Sequence, residues 1–188
     1  GRNRVHAAHC ARDCGDIPGM TDAELAARLL AEDPAGLGGM VLRARAGPER
    51  DAFLATLAAA FPPGTPLRRM PIGIPDERLL GGLDLAATLS AGRPLHAAGL
   101  LAEADGGLIL VPMAERLPAE TAARLAQVLD AGEIAGPEGV SPARFVLVLL
   151  DEGVDDECVP AALAERLAIH LDLERPLEAD ALPQTPAP

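Results

Sequence analysis

The sequence predicts an α/β fold in which a parallel sheet is flanked by helices. Three short apolar segments have strand character: MVLRA from residue 40, GLILVPMA from residue 107 and RFVLVLL from residue 144. Helical patterns of about a dozen residues separate them, and such alternation favours a parallel sheet. The second and third segments are continuously apolar, as expected of strands covered by helices on both faces.

The first predicted helix runs from Thr21 to about residue 32. Thr21 and Glu24 form a capping-box pattern, in which each side chain can hydrogen-bond the other residue's backbone N–H. Leu25, Leu29 and Leu30 then fall on one face of the helix.

Three further helices follow the three predicted strands. One begins at Pro48, which suits a first helical turn, and is expected to bury Phe53, Leu54 and Leu57. The second is PAETAARLAQVLDAGE, with Leu125, Val128 and Leu129 on one face, and the third begins at about Pro160. Between the first two helices, residues 62–93 offer only short apolar pieces interrupted by Gly and Pro.

We expect one domain at residues 19–175, because 188 residues are too few for two ordinary domains. Residues 1–18 show no helical or strand periodicity and are interpreted as a disordered leader. The stretch 176–188 is rich in proline and is interpreted as a tail or the start of a linker.

The composition argues against several classes of function. A net charge of −12 repels nucleic acid, and three Phe, with no Trp or Tyr, leave few rings for bases to stack on. There is no apolar run long enough for a transmembrane span or a signal peptide, so a cytoplasmic location is expected. Three cysteines do not form a disulfide framework in a chain of this size.

The segment GMVLRARAGPERDAF, residues 39–53, has the outline of a phosphate-binding loop but holds no lysine. It also lacks the Ser or Thr that would hold magnesium, and Pro48 removes a backbone donor. Three arginines, Arg43, Arg45 and Arg50, could still meet a phosphate beside Gly47. We therefore predict weak nucleotide binding at most, without hydrolysis.

Other candidate sites are weaker. The second predicted strand ends at Pro112 and Met113, where a nucleotide hydrolase needs acids, and Glu115 is interpreted as a solvated residue at a helix start. The segment HAAHCARDC, residues 6–14, holds enough ligand atoms for a metal but not the usual spacing. The acidic run DEGVDDE, residues 151–157, is interpreted as a solvated loop. No residue is assigned as a metal ligand.

Lone nucleophiles and histidines add no site. Cys158 lies among acids and has no neighbouring base, and His96 and His170 stand alone.

Taken together, these segments resemble a known family. The stretch from Arg68 to Ile134, which includes DERLLGGLDL and GLLAEADGG, resembles the D subunits of magnesium chelatase, and ARFVLVLLDEGVDDECVPAALAERLAIHLDL continues the match. The resemblance covers residues 21–175. It implies an AAA+ fold with degenerate nucleotide motifs. We expect this chain to depart from the family by lacking a complete helical lid.

The resemblance also implies residue roles. The stretch from Arg43 to Asp51 corresponds to a lost Walker A loop, Pro112 and Met113 to lost Walker B acids, and the region around Asp151 and Glu152 to a lost sensor asparagine. Arg166, predicted to lie on the last helix, corresponds to the arginine that AAA+ proteins place in a neighbour's ATP site.

The family's enzyme complex, a ligase, inserts Mg²⁺ into protoporphyrin IX at the expense of ATP, for bacteriochlorophyll synthesis. The expected partners are the ATPase I subunit, in a hetero-oligomeric ring, and the porphyrin-binding H subunit. ATP and Mg²⁺ act through the complex, and whether this chain binds ATP stays open. The alternative is a degenerate α/β module that holds a nucleotide or a metal without any ring partner.

Overall fold

A computed structural model describes residues 20–136, 139–153 and 157–174. The predicted leader, the HAAHCARDC segment and the tail at 176–188 lie outside these residues, and so does the middle of the acidic run. The domain bounds therefore remain predictions.

The described strands and helices alternate along most of the chain. The strands are β1 (Gly39–Arg43), β2 (Leu67–Arg69), β3 (Gly81–Leu83), β4 (His96–Ala98), β5 (Leu108–Val111), β6 (Glu133–Gly136), β7 (Gly139–Pro142), β8 (Val146–Asp151) and β9 (Ile169–Asp172). The helices are α1 (Asp22–Glu32), α2 (Pro34–Leu37), α3 (Pro48–Ala60), α4 (Asp76–Leu79), α5 (Leu85–Ala91), α6 (Leu100–Glu103), α7 (Ala119–Ala131) and α8 (Ala161–Ala164), with a 3₁₀ turn at Ala114–Arg116.

The centre of the fold is a five-stranded sheet in the order β2-β5-β8-β1-β9, with every neighbouring pair parallel. The α/β class and the three predicted strands are thus confirmed. All five strands point the same way, so the sheet has one carboxyl edge, where strands end, and one amino edge, where they begin. In sheets of this type ligands bind outside the carboxyl edge.

Strand β8 is buried along its whole length because helices cover both faces of the sheet. Its side chains alternate between two apolar clusters: Leu147 and Leu149 lie on the α7 side, and Val148 lies on the side of α1 and α3. Each fully buried aliphatic side chain contributes about 1.5–3 kcal/mol to folding. The core is therefore aliphatic, as the scarcity of aromatic residues requires.

The predicted start of α1 is confirmed in detail. The Glu24 N–H donates to the Thr21 hydroxyl at 3.2 Å, and the Thr21 N–H donates to Glu24 Oε2 at 2.9 Å. Of the residues assigned to the cores of α3 and α7, Phe53, Leu57, Leu125 and Val128 are buried, while Leu54 and Leu129 are only partly buried.

The predicted helix from Pro160 is mostly wrong. It comprises only the four residues of α8, and Arg166 lies in the turn that follows instead of on a helix. The next residues form β9, which pairs with the open side of β1, with Ile169 beside Met40. Partly buried Ile169 and Leu171 alternate with exposed His170 and Asp172, which is the period of an edge strand and not of a helix.

The region 62–93 contains elements that the sequence did not reveal. Strand β2 is an edge strand of the sheet, and all three of its side chains are exposed. Its sequence therefore shows no alternation of apolar and polar residues that would identify a strand. Strands β3 and β4 form a small antiparallel sheet with α5 between them in the chain, and β6 and β7 pair antiparallel further along. In the part of the chain that the structure describes, no helix is long and apolar enough to cross a membrane.

Candidate functional site

The loop predicted to bind phosphate connects β1 to α3 at the carboxyl edge of the sheet. Gly47 precedes α3 in extended conformation, with φ 171° and ψ 176°, and Pro48 opens the helix as predicted. The first turn carries two acids, Glu49 and Asp51, at the helix end that would otherwise favour an anion.

Each arginine of this loop faces a carboxylate of the same chain. Arg43 Nη1 lies 3.7 Å from Asp151 Oδ2, with the two residues side by side in the sheet. The Arg45 backbone N–H donates to Glu174 Oε1 at 2.8 Å, and its Nε lies 3.5 Å from the same oxygen. Arg43 and Arg45 thus each have a carboxylate within 4 Å at the mouth of the loop.

Arg50 is the most enclosed of the three. Its side chain is 10% exposed, and Nη1 donates to Glu152 Oε1 at 2.9 Å. Its Nε is buried without a partner among the described residues. Arg50 lies in the first turn of α3, where a phosphate-gripping side chain would be needed, but it reaches across to the residue after β8 instead.

Glu115 was predicted to be solvated, and this is wrong. The residue is 8% exposed, and its Oε2 accepts a long hydrogen bond of 3.4 Å from the Glu152 backbone N–H. Met113, with φ 51°, turns the chain sharply after β5, so the 3₁₀ turn packs against β8.

The charged residues at this edge of the sheet are called the carboxyl-edge cluster. Its members are three arginines and four acids: Arg43, Arg45, Arg50, Asp151, Glu152, Glu174 and Glu115.

The carboxyl-edge cluster is poorly suited to ATP and Mg²⁺. A phosphate would have to displace Glu152 from Arg50, which would leave a charged carboxylate in a partly buried place. Among the described residues, no group of three His, Cys, Asp or Glu side chains has the arrangement to hold a metal ion. The arginines are present, but each has a carboxylate of the same chain within 4 Å, which offsets its charge.

Arg166 lies at the opposite edge of the sheet, in the turn between α8 and β9. Its Nε is 2.9 Å from Asp130 Oδ1, and its Nη2 is 2.8 Å from Asp130 Oδ2. Its Nη1 donates to the Ala162 carbonyl at 2.6 Å. The Arg166 side chain is 37% exposed, and the Asp130 side chain is 58% exposed. We call these two residues the amino-edge pair.

The two charges of the amino-edge pair support each other. The hydrogen bond from Arg166 lowers the pKa of the Asp130 carboxyl below its ordinary value, and Asp130 raises the pKa of Arg166. Both effects arise because the hydrogen bond favours the charged forms. The pair is therefore fully ionised at neutral pH.

The backbone around Arg166 packs against the end of α2 and the glycine that follows it. The Ala168 N–H donates to the Leu37 carbonyl at 3.0 Å. Gly38 has φ 67°, and a Cβ atom there would lie 2.9 Å from the Arg166 carbonyl oxygen. This close approach requires glycine, so the chain positions Arg166 on a rigid support.

The family resemblance singled out Arg166, whereas Asp130, the pairing of Glu152 with Arg50 and the burial of Glu115 were missed. One signal for Asp130 was available: it lies in the last turn of α7, where a negative charge is unfavourable and a basic residue is the norm. A cationic partner from elsewhere in the chain offsets this small penalty. The other lone candidates remain minor: Cys158 is exposed, and His170 Nε2 lies 3.1 Å from the Ala164 carbonyl oxygen.

Comparisons with known proteins identify the family to which the chain belongs. No protein-family model matches the sequence. The chain is 42% identical over 161 residues to the magnesium-chelatase 60 kDa subunit of Rhodobacter capsulatus, covering 84% of this chain and 26% of that protein. It is 45% identical over 152 residues to the same subunit of Cereibacter sphaeroides, covering 80% of this chain and 24% of that protein.

The fold matches a solved assembly of the same enzyme. A chain in the cryo-EM-based structure of the complex between subunits BchI and BchD of magnesium chelatase superposes with a TM-score of 0.64 and 25% identity, over 85% of this chain and 60% of that one. The five-stranded parallel sheet is thus AAA+-like, as expected. The chain spans about a quarter of the length of the curated relatives it matches. Over about four fifths of its own length it belongs to the family of magnesium-chelatase 60 kDa subunits.

Proposed function

We propose that this chain is a non-hydrolytic AAA+ subunit of magnesium chelatase. It assembles in a ring with the ATPase I subunit and supports ATP-driven insertion of Mg²⁺ into protoporphyrin IX, on the porphyrin-binding H subunit, in the cytoplasm. The proposal rests on the family membership and on one structural contrast. The most enclosed arginine of the degenerate loop, Arg50, is 10% exposed and donates to Glu152, whereas Arg166, although held by Asp130, keeps 37% of its side chain exposed at the other edge.

The position of Arg166 supports action on a neighbour. Strand β1 has five residues, so the two edges of the sheet are about 13 Å apart. Arg166 therefore lies too far from its own β1–α3 loop to contact a phosphate held there. A phosphate that meets Arg166 must be bound by another molecule.

The chemistry of such a contact is electrostatic. When the terminal phosphoryl group of ATP is transferred, negative charge is spread over its oxygens, and a guanidinium placed against them stabilises the transition state. Arg166 is suited to this because it is always charged and presents planar donors. This chain would supply the cation, and the I subunit would supply the bound ATP·Mg²⁺ and the attacking water.

The test is Arg166→Ala in the assembled complex, with ATP hydrolysis and magnesium insertion as readouts. Arginine fingers contribute about 10³–10⁵ in rate. Only the ATP sites that adjoin this subunit depend on Arg166, so the loss averaged over the whole ring is smaller than this. We expect the ATPase activity that this subunit stimulates to fall at least about tenfold. Complex formation should persist. Arg116→Ala is the matched control, since Arg116 is an exposed arginine paired with Glu157 at 2.9 Å.

Unchanged activity in Arg166→Ala would refute the role in trans. Calorimetry of the isolated chain with ATP·Mg²⁺ then separates the remaining alternative. Tight binding without the I subunit would favour an independent nucleotide-binding module, and we expect none because the loop arginines are already paired.

A further inference from the structure

The contacts of Arg166 leave a specific part of its guanidinium unused. Asp130 occupies the side edge formed by Nε and Nη2, and the Ala162 carbonyl takes one N–H of Nη1. A guanidinium has five N–H donors, so one remains on Nη1 and one on Nη2. The remaining Nη2 donor lies on the end edge of the guanidinium, between Nη1 and Nη2, where an oxygen of a phosphate or carboxylate can bind.

Asp130 lies where the helix dipole disfavours a negative charge. It lies in the last turn of α7, where the carbonyl groups already concentrate negative charge, and the last turn holds no basic residue. The cation that compensates it comes from 36 residues further along the chain. The pairing is bidentate and is joined by a backbone contact, unlike the single contact between Arg116 and Glu157.

We propose that Asp130 is a positioning residue that holds Arg166 by its side edge and presents the end edge to an anionic group on a neighbouring subunit. This inference rests on the proposed role of Arg166 and deepens it. Without Asp130 the long Arg166 side chain would populate many rotamers. Only a fraction of them would place the guanidinium correctly against the anion. The fixed support at Gly38 and Leu37 orients the backbone, and Asp130 orients the guanidinium.

Asp130 does not cancel the attraction that Arg166 offers. An oxygen bound at the end edge would lie about 3 Å from the nearest guanidinium nitrogen and roughly twice as far from the Asp130 carboxylate, and Coulomb attraction falls with distance. The net force on the anion remains attractive. What Asp130 adds is a fixed direction.

The experiment compares Asp130→Ala and Asp130→Asn in the assembled complex, measuring kcat and KM for ATP separately. We expect kcat of the stimulated hydrolysis to fall about fivefold to tenfold in Asp130→Ala, with KM and complex affinity unchanged. Asp130→Asn keeps one oxygen acceptor and should lose less, about twofold to threefold. Glu157→Ala, which breaks a comparable exposed pair, is the matched control and should leave kcat unchanged.

A double-mutant cycle distinguishes positioning from a merely structural role. If Asp130 acts through Arg166, Asp130→Ala has no further effect on kcat in an Arg166→Ala background. An equal loss in both backgrounds would overturn the proposal. So would a normal kcat in Asp130→Ala when Arg166→Ala is impaired, and the proposed function would then still stand. If Arg166→Ala itself were normal, both proposals would fall.

Discussion

The two edges of the sheet use the same residue type in opposite ways. At the carboxyl edge, Arg50 is buried and donates to Glu152, and Glu115 closes the site from the other side. At the amino edge, Arg166 is held by Asp130 but stays partly exposed, with one N–H of Nη2 unused. The presence of an arginine is therefore not enough to predict that it binds a partner. What matters is which of its N–H donors are already bonded within the chain.

The edges also differ in what their ion pairs contribute to folding. A pair that is largely buried leaves an uncompensated charge when one member is removed, whereas an exposed pair contributes little. We therefore expect the Arg50–Glu152 pair to matter for the stability of the fold, and the exposed amino-edge pair to contribute little to it. The following substitutions test this distinction.

The largest effect is expected for Glu152→Ala. It removes the partner of Arg50, whose side chain is 10% exposed and whose Nε already lacks a partner within the described residues. We expect the free energy of unfolding to fall by about 3 kcal/mol, and the melting temperature by about 6–12 °C. Urea denaturation and calorimetry measure both.

The control is the double substitution Arg50→Met with Glu152→Met, which removes both charges and should recover most of the stability. Inorganic phosphate adds a second readout: it should raise the melting temperature of Glu152→Ala, where Arg50 is unpaired, but not that of the unmodified chain. If Glu152→Ala lowered the free energy of unfolding by less than about 0.5 kcal/mol, water would be able to hydrate Arg50 in place of Glu152.

A smaller loss is expected for Gly38→Ala at the amino edge. The φ of 67° disfavours alanine, and its Cβ would lie 2.9 Å from the Arg166 carbonyl oxygen. We expect a destabilisation of about 1–3 kcal/mol by chemical denaturation. Since the turn must shift, the stimulated ATPase of the assembled complex should fall as well. Normal activity despite the lost stability would show that the position of Arg166 tolerates backbone movement.

The difference between what the sequence predicted and what it missed has a physical basis. Strand β8 and the cap of α1 depend on neighbouring residues along the chain, and both were predicted. Strand β9 is short and at an edge, so its pattern resembles the end of a helix. The contacts of Arg50 with Glu152 and of Arg166 with Asp130 join residues 102 and 36 positions apart, and no local pattern contains them.

The smallest effect is expected for Gly47→Ala, and it is the most direct test of whether the β1–α3 loop still serves a ligand. A Cβ at Gly47 would meet no atom within 4 Å, and the φ of 171° is open to any residue. Alanine is a poorer helix N-cap than glycine by a fraction of a kcal/mol, but it also restricts the unfolded chain by about 0.4–1 kcal/mol. These terms oppose each other, so the stability should change by less than about 0.5 kcal/mol.

Activity should be equally insensitive to Gly47→Ala. In a functional phosphate loop the backbone approaches the phosphates closely, and glycine is required for that approach. Here we expect the stimulated ATPase of the assembled complex to match that of the unmodified subunit, with Gly38→Ala as the contrasting variant. A loss of activity in Gly47→Ala without a loss of stability would mean that a ligand still approaches this loop. The carboxyl edge would then have a functional role beside that of Arg166.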